Sequence, residues 1–577
     1  MLRTHTCGEL RQSHIGSTVS LCGWVDTIRD HGGVIFIDLR DQYGITQVVF
    51  HNQAVMEGVG TETVIRAVGT VMPRENEAVN EKLATGSVEV HSCAPEILGP
   101  CKNMLPFEID LSHHTREEIR LKYRYLDLRN EKLHSNILMR SKIISFLRSQ
   151  MEALGFVDLQ TPILTSSSPE GARDYLVPSR VHAGEFYALP QSPQQFKQLL
   201  MVAGFDKYYQ IAPCFRDEDA RGDRSPGEFY QLDFEMAFAT QEDIFQIGET
   251  VLYNTFKAFT NKKVSPAPFR RISFADSMLH YGTDKPDLRN PLVINDLTDF
   301  FATANFPLFK GKAVRGIVAN CSGQSRKFFD GAESAAIALG MKGLGYLTYT
   351  EGTFKGPIAK FLTPDEQAKL ILEENIKSGD TIFFICDSKE IVSSLAGGVR
   401  RWLGEELALV DHDSFEFCYI VDFPMYEYNV EERKIDFTHN PFSMPQGGLE
   451  ALNTLDPLDI FAYQYDIVCN GIELSSGAVR NHSPEIMRKA FEIAGYGEEE
   501  IKTKFGAMYT AFQYGAPPHA GMAPGVDRIV MLLCGEETIR DVIAFPLNGS
   551  AQDLMMGAPS PVTDSQLRDA HIYVSKI

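Results

Sequence analysis

Three segments that are far apart in the sequence each contain an arginine within a few residues of an acidic residue: Cys214–Asp219, Ile472–Arg480 and Gly521–Arg528. The guanidinium of Arg216, Arg480 or Arg528 is a planar fork of donors that fits a carboxylate or a phosphate, and Lys197 adds a compact charge. Each arginine alone could equally be half of a surface ion pair. These residues are therefore candidate anion ligands. Whether they form one site depends on the helices and strands that position them.

The composition is that of a globular protein with several domains. The chain has 577 residues, 44% hydrophobic and 23% charged, and at roughly 100–200 residues per domain we expect about three to five domains. No apolar run reaches the roughly 18 residues of a membrane span, so no membrane partner is expected. The start of the sequence has no signal-peptide core. Ten cysteines without a Cys-x-x-Cys pair indicate reduced thiols and a cytoplasmic location.

The net charge of −21 argues against a protein that coats nucleic acid nonspecifically, because phosphate neutralisation needs clustered Lys and Arg. It does not exclude nucleic-acid binding by one face. A basic cluster occurs at Arg116–Arg129, although charge alone favours a solvated helix face there.

The first hundred residues are predicted to form short strands separated by turns. Five apolar, strand-like runs are Val19–Val25, Val34–Leu39, Ile45–Phe50, Val64–Val71 and Val88–Val90, and a helix is expected near Gln53–Thr61. This pattern suits an OB-fold barrel, whose exposed face commonly binds oligonucleotides, although sandwiches use similar strands. Arg29, Phe36 and Gln47 could stack on or hydrogen-bond to unpaired bases, but for Phe36 alone the barrel core is the favoured position.

The rest of the chain alternates helices and strands, as in an α/β multidomain protein. Apolar spacing predicts a helix through Ile143, Leu147 and Met151 that ends at Gly155, then a strand Phe156–Leu164. Strand-like segments at Ala313–Ala319, Gly345–Thr350 and Thr381–Ile385, with helices between them, indicate an inserted αβ domain. The predicted division is 1–104 (barrel), 105–135 (hinge), 136–289 (first part of a core), 290–414 (inserted domain), 415–559 (second part of the core) and 560–577 (C-terminal extension).

Three motifs resemble those of class II aminoacyl-tRNA synthetases. Gly155–Leu164, a strand that contains Pro162 and follows a helix, looks like motif 1. Cys214–Asp219 has Phe-Arg-x-Glu before a hairpin that includes Phe229–Glu235, as in motif 2, and Gly521–Arg528 ends in Gly-x-Asp-Arg at the start of a helix, as in motif 3. Each motif is weak alone, whereas their order and spacing together are specific. The resemblance implies a catalytic core on an antiparallel sheet, and a homodimer paired through residues 140–164.

The flanking sequences resemble one subgroup. Arg120–Arg129 is similar to the hinge of the aspartyl, asparaginyl and lysyl enzymes, whose N-terminal OB-fold binds the anticodon. Ser168–Tyr175, Gln191–Gln198, Arg540–Pro546 and the insertion look like bacterial-type aspartyl-tRNA synthetases, and the resemblance covers essentially the whole chain. It implies activation of L-aspartate with ATP to aspartyl-adenylate, release of pyrophosphate, and transfer of aspartate to the 3′ end of tRNA(Asp).

The resemblance assigns residues to ATP. Arg216 would hold the α-phosphate and the attacking carboxylate, and Arg528 the γ-phosphate; both would be catalytic, because activation brings two anions together. Glu218 would hydrogen-bond the adenine side and Phe229 would stack on the ring. The remaining ATP-binding residues would be Asp217, Glu473, Gly525, Val526 and Asp527, and Mg²⁺ would be held by Glu473 and Asp466.

Other residues would bind aspartate. Arg480 and Lys197 would pair with the substrate side chain, and a pocket with two cations favours Asp over neutral Asn, which would leave them unpaired. His439 would close over the substrate. The ammonium region would be held by Glu170 and Gln194, and Gln195, Phe196 and Arg216 complete the aspartate-binding set.

The sequence departs from the family pattern in three places. The loop Ala220–Glu228 is one residue longer, and Ser225 stands where glutamine is usual, which puts an ATP role there in doubt. Ser475-Ser476-Gly477 replaces a Gly-rich loop, and His439-Asn440 replaces His-His. None of these changes removes a charge that the mechanism needs.

His31 bears on which tRNAs are charged, and with Arg29, Phe36 and Gln47 it completes the predicted anticodon-binding set. Bacterial-type relatives strict for tRNA(Asp) tend to have Leu at this turn position, and relatives that also charge tRNA(Asn) often have His. An imidazole can donate or accept, so it could satisfy either anticodon base that distinguishes the two tRNAs. We predict relaxed specificity and a functional link to an amidotransferase; an exposed histidine without a role, in a tRNA(Asp)-only ligase, stays open.

Three rival functions share parts of this pattern. An asparaginyl- or lysyl-tRNA synthetase has the same fold, but Lys197 and Arg480 disfavour both substrates. An inactive RNA-binding paralogue is disfavoured because the charged motif residues are intact. An amide-forming paralogue would typically lack the barrel.

Overall fold

The computed structural model describes residues 1–167, 172–224, 227–304 and 306–575. They fall into two units, Met1–Glu108 and Ile109–Ile577. The finer division into hinge, core parts and extension stays a prediction.

The first unit is a barrel of five strands: β1 (Thr18–His31), β2 (Val34–Asp41), β3 (Gly44–Phe50), β4 (Val64–Pro73) and β5 (Val88–Gly99). They close in the order β1-β2-β3-β5-β4, with β3 and β5 parallel. All five predicted strands and the expected OB-fold barrel are confirmed.

Alternation along β2 sets the core and the outer face of the barrel. Ile35, Ile37 and Leu39 are buried, so Phe36 and Asp38 between them point outward. The favoured core position for Phe36 is therefore wrong. The helical segment expected near Gln53–Thr61 is shorter than predicted: a single 3-10 turn spans Gln53–Met56, and Gly58 beyond it has φ +79°, a conformation that ends a helix.

The second unit begins with the elements around motifs 1 and 2. They are α1 (Glu117–Lys122), α2 (Arg124–Asp127), α3 (Glu131–Ala153), β6 (Val157–Asp158), β7 (Leu176–Pro178), β8 (Phe186–Ala188), α4 (Gln194–Val202), β9 (Lys207–Arg216), β10 (Gly227–Ala237), α5 (Gln241–Phe259), β11 (Lys263–Val264), β12 (Arg270–Ser273) and α6 (Phe274–His280).

Helix α3 ends as the sequence predicts. The Asn130 side chain accepts hydrogen bonds from the amides of the first turn. Gly155 has φ +82° and the Phe156 amide donates to the Met151 carbonyl at 3.0 Å, which is a Schellman ending. The following strand is only Val157–Asp158, so the prediction through Leu164 is too long; Pro162 has no amide for a ladder.

A five-stranded sheet with helices forms a continuous insertion. Its elements are β13 (Ile294–Asp296), α7 (Thr298–Thr303), β14 (Ala313–Asn320), α8 (Arg326–Ala338), β15 (Gly345–Thr350), β16 (Thr353–Lys355), α9 (Pro364–Glu373), β17 (Asp380–Asp387) and α10 (Val392–Glu406). The strand order is β13-β14-β17-β15-β16. Each face of the sheet has its own apolar core, so an αβ insertion is present as expected.

The chain then returns to the main sheet through β18 (Ser414–Phe415), β19 (Phe417–Pro424), β20 (Tyr426–Asn429), β21 (Lys434–Phe437), α11 (Gly448–Thr454), β22 (Phe461–Cys469), β23 (Ile472–Val479), α12 (Pro484–Ile493), α13 (Glu498–Ala511), β24 (His519–Met522), α14 (Val526–Cys534) and α15 (Asp564–Asp569).

One eight-stranded sheet organises the second unit, in the order β12-β19-β22-β23-β24-β10-β9-β6. All neighbours are antiparallel except β12 with β19 and β6 with β9. Its buried face packs against α3, α5 and α14, which confirms the expected antiparallel core. In the described part of the chain, no helix combines the length and apolarity that crossing a bilayer requires.

Candidate active site

A cavity of about 520 Å³ lies in the second unit. Its walls come from β9, β10, β22, β23, α4, the start of α14 and residues 437–442. Twelve residues singled out in the sequence line it together: Gln194, Lys197, Arg216, Glu218, Phe229, His439, Asp466, Glu473, Arg480, Gly525, Asp527 and Arg528. Segments more than 300 residues apart therefore build a single site.

Four other candidates do not line this cavity, and a fifth lies outside the described residues. Gln195 and Phe196 line a second cavity of about 100 Å³, because successive residues of α4 point in different directions. Val526 is fully buried in the core. Asp217 does not line the cavity and lies 3.7 Å from Arg173. Glu170 falls outside the described residues.

Four buried charges of alternating sign form a cluster, and three of them, Lys197, Asp233 and Arg480, line the cavity. Lys197 Nζ lies 2.7 Å from Asp233 Oδ1 and 3.4 Å from Glu235 Oε2. Arg480 donates to Glu235 through Nε at 2.9 Å and Nη2 at 3.3 Å. Its Nη1 has no hydrogen-bond partner within the described chain. The cluster thus presents part of a guanidinium and an ammonium to a small anion.

Burial and the neighbouring charges shift the pKa values of three of these residues. Burial raises the pKa of Asp233 in spite of Lys197. Burial also opposes ionisation of Glu235, but Arg480 and Lys197 outweigh it and hold the pKa of that carboxyl below its usual value. The pKa of Arg480 is raised, because the attraction of Glu235 exceeds the effect of burial.

Asp233 and Glu235 were not predicted as site residues. They lie two apart on β10, so both side chains are on one face of the strand. Phe229 and Gln231 continue the same row along the cavity. A period-two row of polar residues within motif 2 is the sequence signal that could have identified them.

Two further arginines, Arg216 and Arg528, line the cavity. Arg216 Cζ lies 4.9 Å above the centre of the Phe229 ring, and Arg216 Nε donates to the Gln191 carbonyl at 3.3 Å. Arg528 Nη2 lies 3.2 Å from Asp223 Oδ2, and its Nη1 lies 3.8 Å from Glu473 Oε1. Glu218 pairs with Arg224.

Two carboxylates from neighbouring strands line the cavity, and one of them, Glu473, lies near Arg528. Asp466 is on β22 and Glu473 on β23, where the pairing is irregular between Ile467 and Val468. Asp466 Oδ1 is buried without a hydrogen-bond partner among the described residues, and burial, followed by the charge of Glu473, raises the pKa of Asp466 well above its usual value. No group of three or more His, Cys, Asp or Glu in the described chain could hold a metal, so a cation here would need ligands from a substrate or water.

His439, in the loop after β21, lines the cavity. Its ring packs edge-on against Phe423, with centroids 5.2 Å apart. Burial lowers the pKa of His439, which favours a neutral imidazole at pH 7.

Comparison with known families covers both units. Residues 116–549 match the family model described as "tRNA synthetases class II (D, K and N)". The chain belongs to the class II tRNA synthetases. Residues 19–92 match the model "OB-fold nucleic acid binding domain", which agrees with the barrel.

Curated relatives of this class II synthetase match over nearly their full length. The proteins of Rickettsia bellii (strain OSU 85-389) and Rickettsia prowazekii (strain Madrid E) are 56% and 57% identical over 99% of this chain, and 98% and 97% of their own lengths are covered. Both carry the name "Aspartate--tRNA(Asp/Asn) ligase". ATP is a substrate of this class of synthetase and tRNA is its partner.

Two solved synthetase structures share the fold. The asparaginyl-tRNA synthetase of Pyrococcus horikoshii has a TM-score of 0.58 at 19% identity, with 95% of this chain and 98% of that chain covered. The aspartyl-tRNA synthetase of Entamoeba histolytica has a TM-score of 0.56 at 18% identity, with 94% and 91% covered.

The four predicted anticodon residues lie on the barrel. Arg29 forms a two-pronged pair with Asp38 at 2.6 and 2.8 Å and donates to Gln47 at 3.2 Å. Arg29 is directly opposite Phe36 in the β1–β2 ladder. The rings of Phe36 and His31 meet edge to face with centroids 5.6 Å apart. These contacts bring an aromatic face and several hydrogen-bonding groups together on the outside of the barrel.

Proposed function

We propose that this protein is an aspartate–tRNA ligase that charges tRNA(Asp) and also tRNA(Asn). The α-carboxylate of L-aspartate attacks the α-phosphate of ATP, the bond to pyrophosphate breaks, and aspartyl-adenylate forms. The aspartyl group then passes to the 3′-terminal ribose hydroxyl of the tRNA, and AMP leaves. The names of the relatives support this activity, and the Arg480–Glu235–Lys197–Asp233 cluster is the observation on which the choice of aspartate rests.

The cluster suits a side chain with one negative charge. Glu235 occupies two donors of Arg480, so a substrate carboxylate would take Nη1 of Arg480 and the ammonium of Lys197. Asparagine would offer one neutral oxygen and an NH₂ group, and the NH₂ group would face these cations without a hydrogen-bond partner. Each unsatisfied buried group lowers the binding free energy by about 1–3 kcal/mol. Asp233 lines the cavity and carries the charge that the substrate ammonium needs.

Arg216 and Arg528 would bind ATP. Phe229 and Arg216 would hold the adenine and the α-phosphate, Glu218 the adenine edge, and Arg528 the γ-phosphate, with Gly525 and Asp527 shaping the start of α14. Asp223 and Arg224 would release Arg528 and Glu218 when ATP enters. Catalysis rests on positioning and on fixed positive charge rather than on a side-chain nucleophile.

Asp466 and Glu473 would hold Mg²⁺. Two carboxylates plus phosphate oxygens are the donor set that magnesium prefers, and the buried, unpartnered Asp466 Oδ1 fits this assignment. The ion would supply charge neutralisation on the phosphates.

Charging of tRNA(Asn) is supported by the relatives' names and by His31 beside Phe36. Asp-tRNA(Asn) would then require a tRNA-dependent amidotransferase. We also propose a cytoplasmic homodimer that pairs through α3 and the segment after it. Light scattering at micromolar concentration should give twice the chain mass of 64.5 kDa; the mass of one chain would exclude the dimer.

Amino-acid-dependent ATP–pyrophosphate exchange tests the activity. Aspartate alone among the twenty amino acids should support exchange, and purified tRNA(Asp) and tRNA(Asn) should both accept it. Exchange that depends on asparagine or lysine would contradict the proposal.

A further inference from the structure

Lys285 is a cationic residue of the cavity that the motifs do not include. It lines the same cavity as Asp466, Glu473 and Arg528. Its Nζ lies 3.4 Å from Glu473 Oε2 and 2.5 Å from Asp284 Oδ2. The lysine therefore stands beside the carboxylate pair that the proposed function assigns to Mg²⁺.

The local charge explains why a cation is needed there. The carboxylates of Asp284 and Glu473 each act electrostatically on Asp466, and among the described residues Lys285 and Arg528 form ion pairs with Glu473. Without Lys285, three carboxylates would face one guanidinium. A triphosphate would then be repelled from this end of the cavity.

The inserted domain holds the segment that carries Lys285. Arg400 of α10 is 1% exposed and donates to three carbonyls of that segment: Asp287 at 3.0 Å, Asn290 at 2.6 Å and Leu292 at 2.6 Å. The Asn290 side chain donates back to the Arg400 carbonyl at 2.9 Å. A buried guanidinium thus fixes the backbone just after Lys285.

Helix α10 also touches the segment before Lys285. A Cβ on Gly282 would lie 2.3 Å from the Ser393 carbonyl oxygen and 2.6 Å from the Gly397 Cα. Gly282 has φ +70°. Backbone therefore packs directly on backbone, and the position of residues 282–292 is set by α10.

We propose that Lys285 binds the phosphates of ATP and of pyrophosphate, and that Arg400 of the inserted domain is the positioning residue that holds Lys285 in the cavity. The proposal rests on the proposed function for the identity of the nucleotide. It gives the inserted domain a task in the reaction: to supply the support for one cation of the active site.

Direct nucleotide binding tests the role of Lys285. Calorimetry with Mg²⁺ and ATP should show at least a tenfold weaker Kd for Lys285→Met, because a hydrogen bond to a charged group contributes about 1.5–3 kcal/mol. In exchange assays the KM for ATP and for pyrophosphate should rise, while the KM for aspartate stays within twofold. Lys285→Arg should recover part of the affinity, and Lys369→Met, on the exposed side of α9 in the same insertion, is the matched control.

The outcomes separate the two proposals. An unchanged ATP Kd in Lys285→Met overturns this inference even if the wild type shows aspartate-dependent exchange. Absence of that exchange in the wild type overturns the proposed function, whereas the calorimetric comparison still decides the role of Lys285.

A double-mutant cycle tests the positioning role. Arg400→Lys, which cannot satisfy three carbonyls, should weaken ATP binding, and should weaken it little further when combined with Lys285→Met. Additive effects would mean that Arg400 does not act through Lys285. Asn290→Ala, which loses one bond to Arg400, replaces Arg400→Lys if melting curves show that the latter is unfolded.

Discussion

Glu235 binds the guanidinium of Arg480 through two hydrogen bonds, from Nε at 2.9 Å and from Nη2 at 3.3 Å. Because Arg480 is 2% exposed, the carboxylate fixes the orientation of the guanidinium before any substrate arrives. In the proposed function, specificity for a carboxylate side chain would therefore depend on the fork of Arg480 and not only on its charge.

Replacing Arg480 by lysine separates these two contributions. Arg480→Lys keeps the charge but loses the fork, so kcat/KM for aspartate should fall about 10- to 150-fold, which corresponds to about 1.5–3 kcal/mol. The KM for ATP should stay within twofold in pyrophosphate exchange. Arg326→Lys, at an exposed position, is the control; normal aspartate kinetics in Arg480→Lys would move the side-chain site elsewhere.

Glu235 should make stability depend on pH. Its pKa in the folded protein lies below its ordinary value of 4.5, because Arg480 and Lys197 outweigh burial. Its stabilising contribution is therefore present above pH 4.5 and is lost as the pH falls through the folded pKa. Glu235→Gln should lower the melting temperature at pH 7, since removing one partner of a buried pair costs about 3–5 kcal/mol.

Melting curves from pH 3.5 to 8 measure this dependence. The difference between wild type and Glu235→Gln should narrow below pH 4.5. Glu499→Gln, whose side chain is 90% exposed, should melt like the wild type throughout. A constant difference would show that Glu235 acts through shape rather than charge.

Arg216 and Arg528 should each be needed for the activation step. Replacing either with alanine removes a fixed donor to a phosphate, and losses of about 10²–10³-fold in kcat are typical of one transition-state donor. Aspartate-dependent pyrophosphate exchange measures the effect, with Arg326→Ala as the control. Rates near wild type in both variants would rule out the proposed clamp.

His31 should control the choice between the two tRNAs. His31→Leu loses a group that can donate or accept, so aspartylation of tRNA(Asn) should fall relative to tRNA(Asp) by about 5- to 150-fold, equivalent to about 1–3 kcal/mol. Initial rates with purified tRNAs give the ratio, and the control is His5→Leu, at a histidine of the first unit that contacts Thr4 and His14. The hypothesis fails if the ratio is unchanged, or if the wild type already rejects tRNA(Asn) a thousandfold.

The barrel and the cavity were predictable to different depths. Alternation in segments such as Val34–Leu39 predicts strands because the pleat has period two. Alternation does not show which face of the strand points into the core. Phe36 is outside the barrel because Ile35, Ile37 and Leu39 occupy the inner face. The motifs and their flanking sequences predicted that Arg216, Arg480 and Arg528 share one site, because each lies at a fixed place on a defined strand or helix.

The missed residues share a cause. Asp233 and Glu235 pair with Lys197 and Arg480, and a motif does not show which partners compensate its cations. Lys285 lies on a segment that is held from outside the motifs, by Arg400. Gln195 and Phe196 were predicted to bind aspartate because they lie between Gln194 and Lys197 in the sequence. Successive side chains of a helix are rotated by about 100°, so these two point away from the cavity.

Strand β12 pairs in parallel with β19, and the short β11 pairs with β18, so the chain leaves and re-enters the main sheet at neighbouring positions. The entropy of closing a loop grows only with the logarithm of its length, at about 0.6 kcal/mol per doubling. Lengthening a short connection sixteenfold between Ser273 and Phe417 therefore costs on the order of 2–3 kcal/mol. Because the cost depends so weakly on length, the junction between β12 and β19 can accept segments of very different size.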